Sequence, residues 1–148
     1  AYGTIDELSC QIGLVCSTTD RQAEQELLIT IQKDLWQMMA ILAGAEADIQ
    51  QIEKRLSRFE SEIDRLDAAL PQLKRFILPG GTQMSSWYHI LRAVCRRSER
   101  EVVAFFLSET PHSITEEDEA TMLRYLNRLS DLFFMMARDH ASGNEIST

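Results

Sequence analysis

Apolar residues recur every three or four positions along most of this 148-residue sequence, a spacing that places them on one face of an α-helix. Five such stripes are present, and no segment shows convincing strand-like alternation. The first two consist of Ile5, Leu8, Ile12 and Val15, and of Leu27, Leu28, Ile31, Leu35, Met38, Met39 and Leu42. The third covers about 48–70, the fourth about 82–107, and the last contains Met122, Leu126, Leu129, Phe133 and Met136.

Five amphipathic helices predict an all-α fold, because each apolar stripe must be buried against another element. A chain of 148 residues is the size of one domain, and six glycines and three prolines give it few breaks. We therefore expect a single domain over 1–148, folded as an up-and-down five-helix bundle of the ferritin-like, four-helix-bundle type.

The segments between the stripes carry turn and cap signals. The Thr-Thr-Asp run at 18–20 contains residue types that cap helices, so we expect a cap for the second helix there. Residues 76–82 form an apolar run broken by Pro-Gly-Gly, which predicts an ordered loop. Four consecutive acidic residues at 116–119 favour a helix start after a loop, and the tail after Ala141 is predicted to be frayed.

The formal net charge of −8 makes a nucleic-acid or membrane-surface partner a poor hypothesis. An anionic ligand would need a local basic cluster. The three cysteines, Cys10, Cys16 and Cys95, form no CxxC pair and are predicted to be buried thiols in a reducing compartment. Without a membrane-length apolar run or a signal-peptide pattern, we expect a cytoplasmic protein.

Such a basic cluster lies on the fourth predicted helix. Arg92, Arg96 and Arg100 follow one another at i, i+4 spacing, so their guanidinium groups share one stripe. Guanidinium groups match phosphate oxygens two at a time, which suits a polyphosphate ligand. The alternative is a solvated helix face with ordinary glutamate pairs, and spacing alone leaves both interpretations open.

Two further polar groups interrupt apolar stripes. Asn127 and Asp131 share one face of the last helix, where they either bond within the bundle or face a ligand. Asp6 and Glu7 lie in the first stripe, so we expect one of them to point toward the apolar side and to pair with an arginine of the fourth helix. The alternative is an exposed acidic first turn.

Other chemistries have weaker support. A Glu-x-x-His spacing occurs once, at 109–112, but it contains proline and has no second copy, so no metal site built from protein side chains is predicted. Neither a Walker loop nor a GxGxxG motif is present. His89 and His140 have no triad partners in the sequence, and a lone helical histidine is more often structural.

Three blocks of sequence resemble the signatures of the PduO-type ATP:cob(I)alamin adenosyltransferases. They are Ala-Tyr-Gly-Thr-Ile-Asp-Glu-Leu at 1–8, Phe-Ile-Leu-Pro-Gly-Gly at 76–81 leading to Arg-Ala-Val-Cys-Arg-Arg-Ser-Glu-Arg at 92–100, and Tyr-Leu-Asn-Arg-Leu-Ser-Asp at 125–131. The blocks occur in the family's order with similar spacing, so the resemblance covers nearly the whole chain and favours the polyphosphate interpretation of the arginine stripe.

The resemblance implies an enzyme that transfers the 5′-deoxyadenosyl group of ATP to the Co(I) of a reduced corrinoid, giving adenosylcobalamin and triphosphate. It implies a homotrimer with active sites between subunits. The nucleotide site would contain Arg96, Arg97, Glu99, Arg100 and Asn127, with Arg96 as the catalytic residue.

The same resemblance implies roles for four other residues. Phe76 would pack beside the corrin ring and exclude the lower axial ligand, so that cobalt becomes four-coordinate and easier to reduce. Asp6 would pair with Arg92 across the subunit interface, and Asp131 would support the Asn127 end of the site. Because Co(I) is itself the nucleophile, the protein needs only to position two reactants and to stabilise the departing triphosphate through arginines and Mg²⁺.

The sequence departs from the family at its amino end. Family members begin with a glycine- and threonine-rich segment that wraps the ATP phosphates and a basic stretch with a lysine, whereas this sequence starts after both. We interpret it as a fragment in preference to a shortened member with weakened ATP binding. The alternative function is that of a non-catalytic corrinoid-binding or carrier relative that has lost ATP.

Overall fold

A computed structural model describes all 148 residues and contains five α-helices. They are α1 (Tyr2–Thr18), α2 (Gln22–Leu42), α3 (Gln50–Ala69), α4 (Gln83–Leu107) and α5 (Glu116–Ala141). Two short strands, β1 (Ile77–Leu78) and β2 (Ile146–Ser147), complete the structure. The all-α prediction is confirmed, and every predicted stripe lies on its own helix.

The apolar stripes meet in one core of 28 buried residues. Helix α5 packs against α4 and α3, and α1 packs against α2 and α4. Helix α4 therefore lies between α1 and α5. Leu91, Cys95 and Val102 are on the buried side of α4.

Two buried polar networks join the helices. Asp34 of α2 accepts hydrogen bonds from Arg55 Nε of α3 at 2.8 Å and from the Tyr125 hydroxyl of α5 at 2.8 Å. Burial and this carboxylate raise the pKa of Tyr125, so its hydroxyl keeps its proton. A charge that is paired and hydrogen-bonded in this way tolerates burial and ties three helices together.

The second network surrounds Glu24 of α2. His140 Nε2 lies 2.7 Å from Glu24 Oε1, Thr19 Oγ1 lies 3.1 Å from Oε2, and the Tyr88 hydroxyl donates to Oε1. Burial opposes the ionisation of Glu24, but these hydrogen bonds outweigh it and lower the pKa of the carboxyl below its usual range. The network connects α2, α4 and α5 at one end of the bundle.

The predicted helix boundaries hold with one correction. Thr82 Oγ1 caps α4 by accepting from the Ser85 amide at 3.1 Å, and Thr115 Oγ1 caps α5 by accepting from the Asp118 amide at 3.1 Å. The expected side-chain cap of α2 at 18–20 was wrong. The N-cap residue of α2 is Arg21, whose side chain makes no capping hydrogen bond and pairs with Asp139 instead. Thr19 Oγ1 donates to Glu24 and accepts from the Arg21 amide at 3.3 Å, outside the first turn of the helix.

The prediction of a frayed tail after Ala141 is wrong. Strand β2 pairs antiparallel with β1, in the register Ile77 to Ser147 and Leu78 to Ile146. A strand of two residues is too short to show a periodic pattern, so the pairing of β1 with β2 could not be predicted from the sequence.

The cysteine prediction is confirmed only for Cys95, whose thiol pKa is raised by burial. Cys16 is half-buried and Cys10 is exposed, because position 10 lies off the buried stripe of α1.

None of the five helices is long and apolar enough to cross a membrane.

Candidate active site

The arginine stripe on α4 has no carboxylate partner within the chain. Arg92, Arg96 and Arg100 form no ion pair, although seven other arginines of the protein do. Burial and the positive charge of Arg96 lower the pKa of Arg92, although a guanidinium keeps its proton in proteins. The stripe is therefore a concentration of unneutralised positive charge, and glutamate pairs on a solvated face do not explain it.

Arg96 and Arg100 line a cavity of about 380 Å³ between α4 and α5. Asn127 and Asp131, which share a helix face as predicted, line its opposite wall, and Glu99 also contributes. Four of the five residues predicted to bind ATP are thus brought together, along with Asp131.

The polar side chains of this wall are exposed and only partly paired. Asn127 Nδ2 donates to Glu99 Oε1 at 3.4 Å, and Arg128 Nη2 donates to Asn127 Oδ1 at 2.9 Å. Arg128 also pairs with Asp131 at 3.0 Å. The asparagine and aspartate therefore face the cavity and do not serve as a buried structural network.

Arg97 is not part of the same cavity. Its guanidinium pairs with the Glu7 carboxylate of α1, on the neighbouring side of α4. The predicted link from the first acidic pair to an arginine of α4 therefore exists. Neither carboxylate points into the apolar core, however, because Asp6 and Glu7 are both exposed, which corrects that expectation. Asp6 has no ion pair within the chain.

A second cavity, of about 690 Å³, lies beside Phe76. The Phe76 ring is 85% exposed and has no aromatic partner. Arg92, His89 and Phe134 line the same cavity from α4 and α5. Arg92 and Arg96 are one helical turn apart, a rise of about 6 Å, so the two cavities follow each other along α4.

Sequence reasoning missed His89 as a member of this site. The residue is only 5% exposed, its Nδ1 has no hydrogen-bond partner, and its ring meets Phe134 edge-on at 6.1 Å. Burial and the neighbouring Arg92 charge lower the pKa of His89, so the imidazole is neutral near pH 7. Its spacing of three residues from Arg92 was the available signal.

The acidic groups near the cavities are scattered. No group of three or more His, Cys, Asp or Glu side chains is close enough together to hold a metal ion. Glu99 and Asp131 are the two carboxylates that line the smaller cavity. That donor set fits an ion carried mainly by phosphate oxygens and water, as Mg²⁺ commonly is.

Known proteins resemble this chain along most of its length. A corrinoid adenosyltransferase from Bacillus subtilis is 44% identical over 144 residues, which cover 93% of this chain and 71% of that protein. A corrinoid adenosyltransferase from Citrobacter freundii is 39% identical, with 93% of this chain and 77% of that protein covered.

The fold is shared with solved structures as well. A variant of the PduO-type ATP:corrinoid adenosyltransferase from Lactobacillus reuteri, complexed with cobalamin and ATP, superimposes with a TM-score of 0.83 at 32% identity. The match covers 99% of this chain and 83% of that chain. The family model described as cobalamin adenosyltransferase matches residues 1–140, and the chain belongs to that family.

Proposed function

We propose that the chain transfers the 5′-deoxyadenosyl group of ATP to the Co(I) of a reduced corrinoid, with ATP in the cavity between α4 and α5. The observation that carries this assignment is the unpaired arginine stripe, with Arg96 and Arg100 facing that cavity. Arginines left without carboxylates are available to triphosphate oxygens, which guanidinium groups match in geometry and charge.

In this reaction the main task of the chain is to bind the triphosphate as it leaves. Co(I) attacks the 5′ carbon of ATP, the carbon–oxygen bond breaks, and the electron pair of that bond goes to the triphosphate. Arg96 is the proposed catalytic residue, because its guanidinium stabilises that charge as it develops. Glu99 and Arg100 extend the nucleotide site, and Asn127 forms its far wall with Asp131 in support. Mg²⁺ would bind with ATP near Glu99 and Asp131 and would neutralise part of the phosphate charge.

The corrinoid is proposed to lie in the larger cavity, against Phe76. An exposed aromatic ring on a loop offers an apolar face to a flat macrocycle. A ring at the lower face of the corrin displaces the axial ligand and makes Co(II) easier to reduce. Because the two cavities follow each other along α4, ATP and the corrinoid would meet beside Arg92 and Arg96.

We further propose a homotrimer in the cytoplasm. Asp6 is exposed without an ion pair and the Arg92 Nε is buried without a partner, so each side chain lacks a counter-charge that a neighbouring subunit can supply. Arg97 would join the nucleotide site at this interface, since its place beside Glu7 on the α1 side of α4 keeps it out of the cavity within the chain.

Separate binding experiments test the assignment. ATP and a reduced corrinoid are each titrated by calorimetry, and the formation of adenosylcobalamin is then followed by absorbance. Binding of both ligands with product formation supports the enzyme. Binding of the corrinoid without ATP would support a carrier instead, and binding of neither would contradict the proposed function.

A further inference from the structure

Arg138 joins the loop that carries Phe76 to the end of the chain. We define the Phe76 loop as residues 71–82 and the C-terminal segment as residues 142–148. Arg138 Nη2 donates to the Pro71 carbonyl at 2.7 Å, and Arg138 Nε donates to Glu145 Oε1 at 3.1 Å. The side chain is only 4% exposed, so both charged hydrogen bonds are largely shielded from water.

The C-terminal segment holds the middle of the Phe76 loop directly. The Phe76 carbonyl accepts from the Thr148 amide at 2.9 Å and from Thr148 Oγ1 at 3.1 Å, next to the pairing of β1 with β2. At the end of the loop, Thr82 Oγ1 donates to the His140 carbonyl at 3.1 Å. The loop is thus held at its start, middle and end by residues that follow position 137.

The backbone contact is closest at Gly81. Its φ of +94° favours glycine, and a Cβ there would lie 2.7 Å from the Asn144 carbonyl oxygen. Gly80 also has a positive φ, of +146°, but a Cβ there would meet nothing within 4 Å. The segment therefore packs against one glycine of the loop and leaves its neighbour free.

These contacts hold the backbone that carries the Phe76 ring. The Phe76 residue is 85% exposed and packs against no other aromatic side chain, so the loop backbone is what limits where the ring can reach. A loop without these contacts would have to lose conformational freedom each time a ligand bound.

We propose that Arg138 is a positioning residue for corrinoid binding, which acts by joining the C-terminal segment to the Phe76 loop. The inference rests on the proposed function, because it takes Phe76 as a corrinoid contact. It adds a residue that touches neither substrate. Nothing in these contacts reaches the cavity of Arg96, so ATP binding should not depend on them.

The test replaces Arg138 with methionine, which keeps length and apolar volume but removes every donor. Affinities for ATP and for cob(II)alamin are measured, together with the four-coordinate fraction of bound cob(II)alamin by electron paramagnetic resonance. We expect corrinoid affinity to fall about tenfold, the size of one lost charged hydrogen bond, with a lower four-coordinate fraction and unchanged ATP affinity. Unchanged corrinoid affinity, or equal losses for both ligands, would overturn the proposal.

A pair of glycine variants keeps the test informative if Arg138→Met does not fold. Gly81→Ala pushes against Asn144, whereas Gly80→Ala strains the backbone without touching the C-terminal segment. We expect the larger loss of corrinoid affinity and of the four-coordinate fraction from Gly81→Ala. Equal effects of the two variants would count against the proposal.

The Phe76→Ala variant tests the proposed corrinoid contact separately from the positioning role of Arg138. If Phe76→Ala loses corrinoid affinity and four-coordinate cobalt while Arg138→Met and Gly81→Ala do not, the positioning role fails and the proposed function stands. If Phe76→Ala changes neither quantity, the proposed corrinoid contact fails, and the positioning role fails with it.

Discussion

Neighbouring arginines on α4 differ in what their guanidinium groups contact. Arg96 faces the cavity between α4 and α5 and has no ion pair, whereas Arg97 is held by Glu7 of α1. The two residues are adjacent in sequence, but about 100° of helical rotation separates their side chains. An anion in the cavity would therefore meet Arg96 directly, whereas Arg97 lies outside that cavity within the chain.

Replacing Arg96 with alanine should slow adenosyl transfer by about 10²-fold, or about 3 kcal/mol, because a donor aimed at the leaving triphosphate is lost. Stability should change by less than about 0.5 kcal/mol, since the side chain is exposed and unpaired. Single-turnover rates and urea unfolding measure both effects. Arg58→Ala is the matched control, an exposed and unpaired arginine on α3, and equal rate losses in the two variants would contradict the role of Arg96.

His89 predicts a pH dependence of stability. Its folded pKa is lowered by burial and by Arg92, so the unfolded chain takes up a proton near pH 6.5 that the folded chain does not. The free energy of unfolding should therefore fall as the pH drops below about 6.5, until the folded pKa is reached. Urea unfolding at pH 7.5 and 5.5 should show a smaller difference for His89→Gln than for the unchanged chain, and identical differences would refute this explanation.

Residue positions were predictable from sequence only where spacing determines direction. The i, i+4 relation of Asn127 and Asp131 predicted a shared helix face, and both residues line the cavity. The same rule, applied to Cys10, would have placed it off the buried stripe of Ile5 and Leu8, where the structure has it. His89 was missed because an unpartnered nitrogen and a lowered pKa arise from packing, which sequence spacing does not reveal.

Among the contacts between elements, Thr82 joins the first turn of α4 to the last turn of α5. Its Oγ1 accepts from the Ser85 amide and donates to the His140 carbonyl. Thr82→Ala should lower the free energy of unfolding by about 2 kcal/mol, about 1 for the cap and about 1 for the second hydrogen bond. Thr82→Ser keeps the hydroxyl and should recover most of that loss in urea unfolding, and a serine variant as unstable as the alanine variant would be the contrary result.

The helices were predictable because each has a stripe long enough to repeat several times. The predicted start of α5 near four acidic residues also holds, since these residues fill the first turn after the Thr115 cap. Strands β1 and β2 were not predictable, because each has two residues and exists only through its distant partner, with Ile77 paired to Ser147 and Leu78 to Ile146. The Arg138 contact with Pro71 is long-range in the same sense.

Across the whole molecule, a chain of net charge −8 places three of its unpaired arginines, Arg92, Arg96 and Arg100, along one helix. Helix α4 is held between α1 and α5, so the backbone that carries the cavity-facing arginines is fixed by a packed bundle. Placing both cavities on one rigid helix sets the distance between them without a hinge. This arrangement suits a reaction in which two large substrates must meet in one geometry.

The proposed trimer depends on opposite charges, those of Asp6 and Arg92, that do not pair with each other within one chain. Asp6→Arg should place two positive charges at each contact with Arg92 and shift the mass in analytical ultracentrifugation from about three times 16.9 kDa toward 16.9 kDa. The double variant Asp6→Arg, Arg92→Asp restores opposite charges and should recover the larger mass. Asp20→Arg, an exposed acidic position in the α1–α2 connection, is the control for a change in net charge alone. An assembly unaffected by Asp6→Arg would rule out this pair as the contact that holds the subunits together.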